Sequence, residues 1–221
     1  MKRLYVKLLL FALSGVLLAA GLSAERRQNS LASKPASTST QDMTALKAMG
    51  SREAPITIEV FSDYQCPQCR IFYLDTARQL MNSYIPSGKV YYVHRDFPLS
   101  MHSYSHQAAH WLNAAAAAGY YQPVEQALYD KQDTWAPTGQ IEPIVASALS
   151  PAEMKKVKLV ESTEGSQLDA AVASDMALGN SKHVDGTPTI FVYHKGQVTQ
   201  LPTGGVNYSL LKQYLDYLLA H

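Results

Sequence analysis

Cysteine is nearly absent: the 221 residues hold two, Cys66 and Cys69, separated by Pro67 and Gln68. That scarcity excludes a disulfide-dense scaffold and a four-cysteine zinc module. An excess of one charge is missing too. Formal net charge is +1, and Lys2, Arg3 and Lys7 contribute three of the 19 bases, while none of the 18 acids lies in the first 24 positions. The remainder therefore carries −2, which leaves no basic footprint for nucleic acid. Internal repeats are absent. The apolar run from Leu8 to Leu22 spans 15 residues, short of the roughly 20 of a spanning helix.

What is present points to an ordered, exported domain. Hydrophobic residues make up 47% and charged residues 17%, a globular balance. The length suits one domain with a sizeable core, or a small domain with an insertion. Residues 1–24 read as a signal peptide: a basic start, the apolar stretch from Leu8 to Leu18, then small residues Ala19, Ala20, Gly21 and Ala24 for cleavage. An uncleaved anchor starting near Leu4 is the alternative. Either way the rest lies outside the cytoplasm, and no Cys follows the apolar run to take a lipid. Residues 25–50 read as a linker, polar to about Thr40, with Asp42 to Met49 able to form a short helix.

From residue 51 the pattern is regular. Ile56 to Phe61 is a buried strand. A helix starts at the cysteines, with Ile71, Leu74 and Met81 at helical spacing, and ends near Tyr84 ahead of Pro86-Ser87-Gly88. Lys89 to His94 makes a second strand, parallel to the first. Residues from about 101 to 180 read as helical throughout, with a capping box formed by Ser150 and Glu153 around Pro151. Thr189 to Tyr193 and Gln197 to Leu201 form a hairpin across His194-Lys195-Gly196. A last helix, capped by Asn207 or Ser209, carries Leu210, Leu211, Tyr214, Leu215, Leu218 and Leu219. The order is β-α-β, a helical insertion, then β-β-α: an α/β chain with a four-stranded sheet.

A Cys-x-x-Cys where a strand ends and a helix begins has a physical consequence. The first sulfur meets unpaired helix N–H groups and the positive end of the dipole, which stabilise a thiolate. Cys66 is then the exposed nucleophile, and Cys69, one turn on, resolves the mixed disulfide. The other readings are half a zinc site or an inert bridge; a bridge closing so short a loop constrains little. Pro188, at the start of the third strand, either caps that edge or introduces a cis bond after Thr187. A cis bond would leave the Thr187 backbone free to pair with an extended substrate beside Cys66. His102, His106 and His110 fall four apart, on one face of the expected helix. They form a polar stripe, or with the cysteines a copper or zinc carrier site.

The segments Phe61-Ser62-Asp63-Tyr64-Gln65-Cys66-Pro67-Gln68-Cys69, His94-Arg95-Asp96-Phe97-Pro98-Leu99 and Gly186-Thr187-Pro188-Thr189 resemble the DsbA family, including its BdbD-type branch. The resemblance covers about residues 51–221. It implies a thioredoxin-like fold with a helical insertion at about 101–180, and thiol–disulfide exchange with no bound cofactor and no metal. It implies Cys66 as nucleophile, Cys69 as resolving residue and Pro188 as cis-proline. The partners would be exported proteins bearing thiols and a membrane reoxidase of DsbB or VKOR type, in the bacterial periplasm. Family members often keep a buried acid beneath the disulfide. Glu59 is the candidate, although the loop from it to Cys66 is one residue longer here; a solvated strand-edge carboxylate is the other reading. Thr187 is compatible with oxidase, reductase or isomerase use.

Overall fold

Three β-branched or aromatic segments, buried along most of their length, make the centre of the fold, because each presents side chains to covered faces on both sides of one sheet. The structure is a computed structural model and describes residues 43–221. The expected signal segment and most of the expected linker lie outside those residues. A helical turn α1 (Met43–Leu46) leads into β1 (Ala48–Met49), then β2 (Ile56–Ser62) and α2 (Pro67–Phe72). A π-helical turn (Tyr73–Ala77) joins α2 to α3 (Arg78–Ser83), and β3 (Val90–Asp96) follows. The insertion comprises α4 (Ser105–Ala117), α5 (Tyr121–Asp130), α6 (Gln132–Trp135), α7 (Ile141–Ser147) and α8 (Pro151–Ser181). The chain then returns through β4 (Thr189–His194), β5 (Gln197–Gln200) and α9 (Tyr208–Ala220).

The sheet has five strands in the order β1-β3-β2-β4-β5. Only β2 and β3 run parallel; the other neighbours are antiparallel. The α/β, thioredoxin-like reading with a helical insertion holds. The strand count does not. Residues 48 and 49, read as helix within a linker, pair with Val93 and Tyr92 as an edge strand. The cause is tertiary: Lys47, fully buried, ion-pairs with Asp96 and Asp175 and pins this segment against β3 and α8.

Alternation along β2 separates two cores. Ile56, Ile58 and Val60 face the large core, with Cys66, Cys69, Phe72, Tyr92 and the insertion. Phe61 faces the other way into a small aromatic cluster, edge-on to Phe97 and Phe191 at 6.1 and 5.9 Å between ring centroids. Gly179 of α8 lies over this cluster, where a Cβ would come within 2.6 Å of the Phe97 ring. Ala108, Ala109 and Ala114 to Ala116 of α4 are buried in the large core, so that helix packs closely on α8. The Ser150–Glu153 capping box and the Asn207 cap form as their spacing predicts.

Candidate active site

The first functional side chain is placed by a turn. Asp63 follows β2 with its carboxylate fully buried; Oδ1 accepts the Gln65 N–H at 2.7 Å, an Asx-type turn, and the Asp63 carbonyl accepts the Cys66 N–H at 3.1 Å. Its Oδ2 accepts the Leu99 N–H at 2.8 Å and lies 2.7 Å from His102 Nδ1. The insertion grips the same turn: Gln132 Nε2 donates to the carbonyls of Tyr64 and Cys66, at 2.7 and 3.0 Å. Cys66 thus takes the N-cap position of α2, with Pro67 in the first helical position, where its missing N–H costs nothing.

Both cysteines are free thiols. Cys66 is only 6% exposed and Cys69 not at all, so Cys66 is more covered than its sequence position suggested. The two sulfurs are electrostatically opposite. The Cys69 thiol, as hydrogen-bond donor, is the largest influence holding Cys66 down to about 5; burial opposes it, and Thr187 and the N–H groups of Cys69 and Gln68 add to it. Burial pushes Cys69 well above an ordinary thiol, and a charge on Cys66 raises it further. The surroundings thus favour the thiolate at Cys66 and the protonated thiol at Cys69.

The Thr187–Pro188 bond is cis. The carbonyl of Thr187 accepts from Cys66 Sγ at 3.5 Å, so the structure brings Cys66, Cys69, Thr187 and Pro188 together. The buried Thr187 hydroxyl, which helps to hold Cys66 down, meets no other polar partner among the described residues. Beside this loop runs a groove of about 480 Å³ lined by Ile71, Phe72, Thr76, Gly205, Val206 and Tyr208. Gly204 N–H donates to the Pro188 carbonyl at 3.0 Å. Gly205, at φ +91°, passes so close that a Cβ would stand 3.2 Å from Phe72 and 3.3 Å from Pro188.

Glu59 is not part of this group. It shares the Phe61 face of the sheet, opposite the cysteines, because side chains alternate along β2. There it pairs with Arg95 at 2.8 Å and Lys182 at 3.4 Å and accepts from Tyr193 Oη at 2.6 Å. Burial opposes its charge, but these partners hold the carboxyl below its ordinary value. It is neither solvated nor beneath the disulfide. The histidine stripe keeps His106 and His110 on α4 but loses its first member. His102 lies before α4, which starts at Ser105, and pairs with Asp63; His110 pairs with Asp169 at 2.7 Å. Among the described residues, no group of three or more His, Cys, Asp or Glu is placed to hold a metal ion.

Sequence reasoning missed the groups surrounding Cys69. The Asp63 N–H donates to its sulfur at 3.4 Å. Behind lie Ser62 and Tyr129, their hydroxyls 2.8 Å apart, and beyond them His94, whose Nε2 is 2.6 Å from Tyr64 Oη. Burial works against a charge on His94, but Asp96 and Glu125 outweigh it and raise its affinity for a proton. Only Asp63, two residues before Gln65 in a strand-to-helix turn, carried a local signal. Tyr129 and Gln132 come from the insertion, about 60 residues away in the chain.

A family model described as Thioredoxin matches residues 42–204. Among curated relatives, disulfide bond formation protein D of Bacillus subtilis is 25% identical over 162 residues, covering 66% of this chain and 67% of that one. Na(+)/H(+) antiporter NhaA 3 of Salinispora tropica is 31% identical over 147 residues, covering 65% of this chain but only 21% of the antiporter. The solved structure of Wolbachia pipientis alpha-DsbA1 superposes with a TM-score of 0.64 at 20% identity, over 79% of this chain and 90% of that one. BdbD from Bacillus subtilis, in its oxidised form, gives 0.59 at 23% identity, over 79% and 93%.

Proposed function

Because the chain belongs to the thioredoxin family, in the DsbA-type form of its fold, we propose that it is an extracytoplasmic thiol–disulfide oxidoreductase forming disulfides in exported proteins. One observation carries the reading: Cys66 is held down to about 5 beside a Cys69 pushed far up, with the Thr187 carbonyl 3.5 Å from the Cys66 sulfur. Stabilising the attacking thiolate makes the disulfide form the stronger oxidant. Gln68, being neutral, adds no positive charge to that effect.

In the oxidising direction a substrate thiolate attacks Cys66 Sγ of the disulfide and expels Cys69. A second substrate thiolate then attacks the substrate sulfur of the mixed disulfide and expels Cys66, whose low proton affinity makes it a good leaving group. An extended substrate segment pairs with the Thr187 backbone and lays apolar side chains in the groove between Phe72 and Val206. A membrane reoxidase of DsbB or VKOR type restores the disulfide. No cofactor takes part in this exchange.

The test is oxidation of a reduced two-cysteine peptide by the oxidised protein. Cys66→Ser, which cannot form the disulfide, abolishes it; Cys69→Ser, given the disulfide form of the peptide instead, accumulates the mixed disulfide as its Cys66 thiolate attacks and expels one peptide thiolate. Full activity in Cys66→Ser refutes the reading. A reduction potential near thioredoxin's, about −270 mV, would assign the protein to reductase work instead.

A further inference from the structure

Opening the disulfide places a negative charge where it is least welcome. Cys69 leaves as a thiolate at a site with no solvent exposure, and burial is the main force raising its proton affinity. The carboxylate on β2 cannot help, because Glu59 lies across the sheet. The Asp63 N–H reaches this sulfur at 3.4 Å, and the hydroxyl of the adjoining Ser62 acts on it in the direction that favours its charged form. Ser62 ends β2 on the same face as Ile58 and Val60, the face that covers Cys69.

A serine hydroxyl is a free rotor, and its proton goes where its other contacts leave room. Here Tyr129 Oη is 2.8 Å from Ser62 Oγ. Burial and the nearby negative charge keep Tyr129 a phenol, so it has a proton to donate. When Tyr129 donates to Ser62, the serine proton is free to turn toward Cys69. The tyrosine is itself held firmly. Its ring stacks on Tyr73 at 4.5 Å, and its carbonyl accepts from Arg70 Nε at 2.9 Å on the active-site helix.

We propose that the Ser62–Tyr129 hydroxyl pair stabilises Cys69 as the leaving thiolate when a thiol opens the disulfide, with Ser62 the catalytic donor and Tyr129 its positioning residue. The step rests on the exchange reading above. The incoming thiolate forms a bond to Cys66 Sγ, the Cys66–Cys69 bond breaks, and its electron pair goes to Cys69 Sγ. The incoming thiol is oxidised to the mixed disulfide and Cys69 is reduced. Ser62 O–H and Asp63 N–H share their protons with the new thiolate without losing them.

The experiment follows the opening of the oxidised full-length protein by glutathione in stopped flow. Losing one hydrogen bond to a developing charge slows opening by about tenfold in Ser62→Ala and by roughly three- to fivefold in Tyr129→Phe. The double variant is no slower than Ser62→Ala, since Tyr129 acts through Ser62. Ser62→Thr, which keeps the hydroxyl, stays within about twofold of wild type. The pH midpoint for Cys66 thiolate formation in the reduced proteins does not move, whereas a general loosening of the turn would move it. Wild-type opening rates in both Ser62→Ala and Tyr129→Phe overturn the proposal. Effects that multiply in the double variant overturn the positioning role of Tyr129. If the wild-type protein itself does not open, the exchange reading fails and the proposal with it.

Discussion

The proton affinity of Cys66 depends first on its neighbour's thiol, and that dependence can be removed one atom at a time. With Cys66 at about 5, roughly three quarters is thiolate at pH 5.5, against about one part in a thousand for an ordinary thiol near 8.5. Intrinsic nucleophilicity falls with proton affinity at a slope of about 0.45, which over that difference costs about fortyfold. The two effects cross near pH 7. Cys66 should therefore attack a small aromatic disulfide about twentyfold faster than an ordinary thiol at pH 5.5, and about threefold slower at pH 7.5. Replacing Cys69 by alanine deletes the donor. A hydrogen bond to a charged group contributes roughly 1.5–3 kcal/mol, or about one to two pH units. Because the donor favours the thiolate, its loss moves the Cys66 midpoint upward, to about 6–7. Cys69→Ser keeps an O–H donor and should stay near 5. The assay is the pH dependence of the second-order rate in the reduced variants. Superimposed alanine and serine profiles, or a wild-type midpoint near 8.5, would refute the reasoning.

The reduced protein should gain stability relative to the oxidised form as pH rises from about 5 towards the unfolded thiol value of about 8.5, and lose that gain as pH falls back through about 5; parallel thermal melts of the two redox forms read the difference. Glu59→Gln should leave disulfide opening within about twofold of wild type yet destabilise the fold by about 1–3 kcal/mol in urea, since it breaks a partly covered ion pair on the far face. Lys47→Met should cost about 3–5 kcal/mol, because Asp96 and Asp175 are left buried without their cation; a loss below about 1 kcal/mol would contradict the pairing. Gly179→Ala should cost about 1–3 kcal/mol through collision with Phe97 and Phe61, read from the same denaturation curves.

Local order was legible because it is written at short range. The Cys-x-x-Cys at a strand-to-helix junction, Pro67 at the first helical position, the Ser150–Glu153 box and the β4–β5 hairpin each depend on neighbours within a few residues. The structure forms all of them. The sequence by itself therefore determined the Cys66–Cys69 pair on which the proposed exchange rests and the framework that carries it. Partnerships across the chain carried no such mark. Glu59 looked like a buried acid and is one, but the face it occupies follows from which core claimed Phe61 and which claimed Val60. His102 kept its helical spacing and lost its helix to Asp63. Lys47, set within the expected linker, became a buried cation because two carboxylates from β3 and α8 converge on it. Tyr129 reaches Ser62, and Gln132 the carbonyls of Tyr64 and Cys66, only because the insertion folds back over the turn. Spacing specifies what a residue can do with its near neighbours. Which distant charge or hydroxyl faces Cys69 was decided by packing alone.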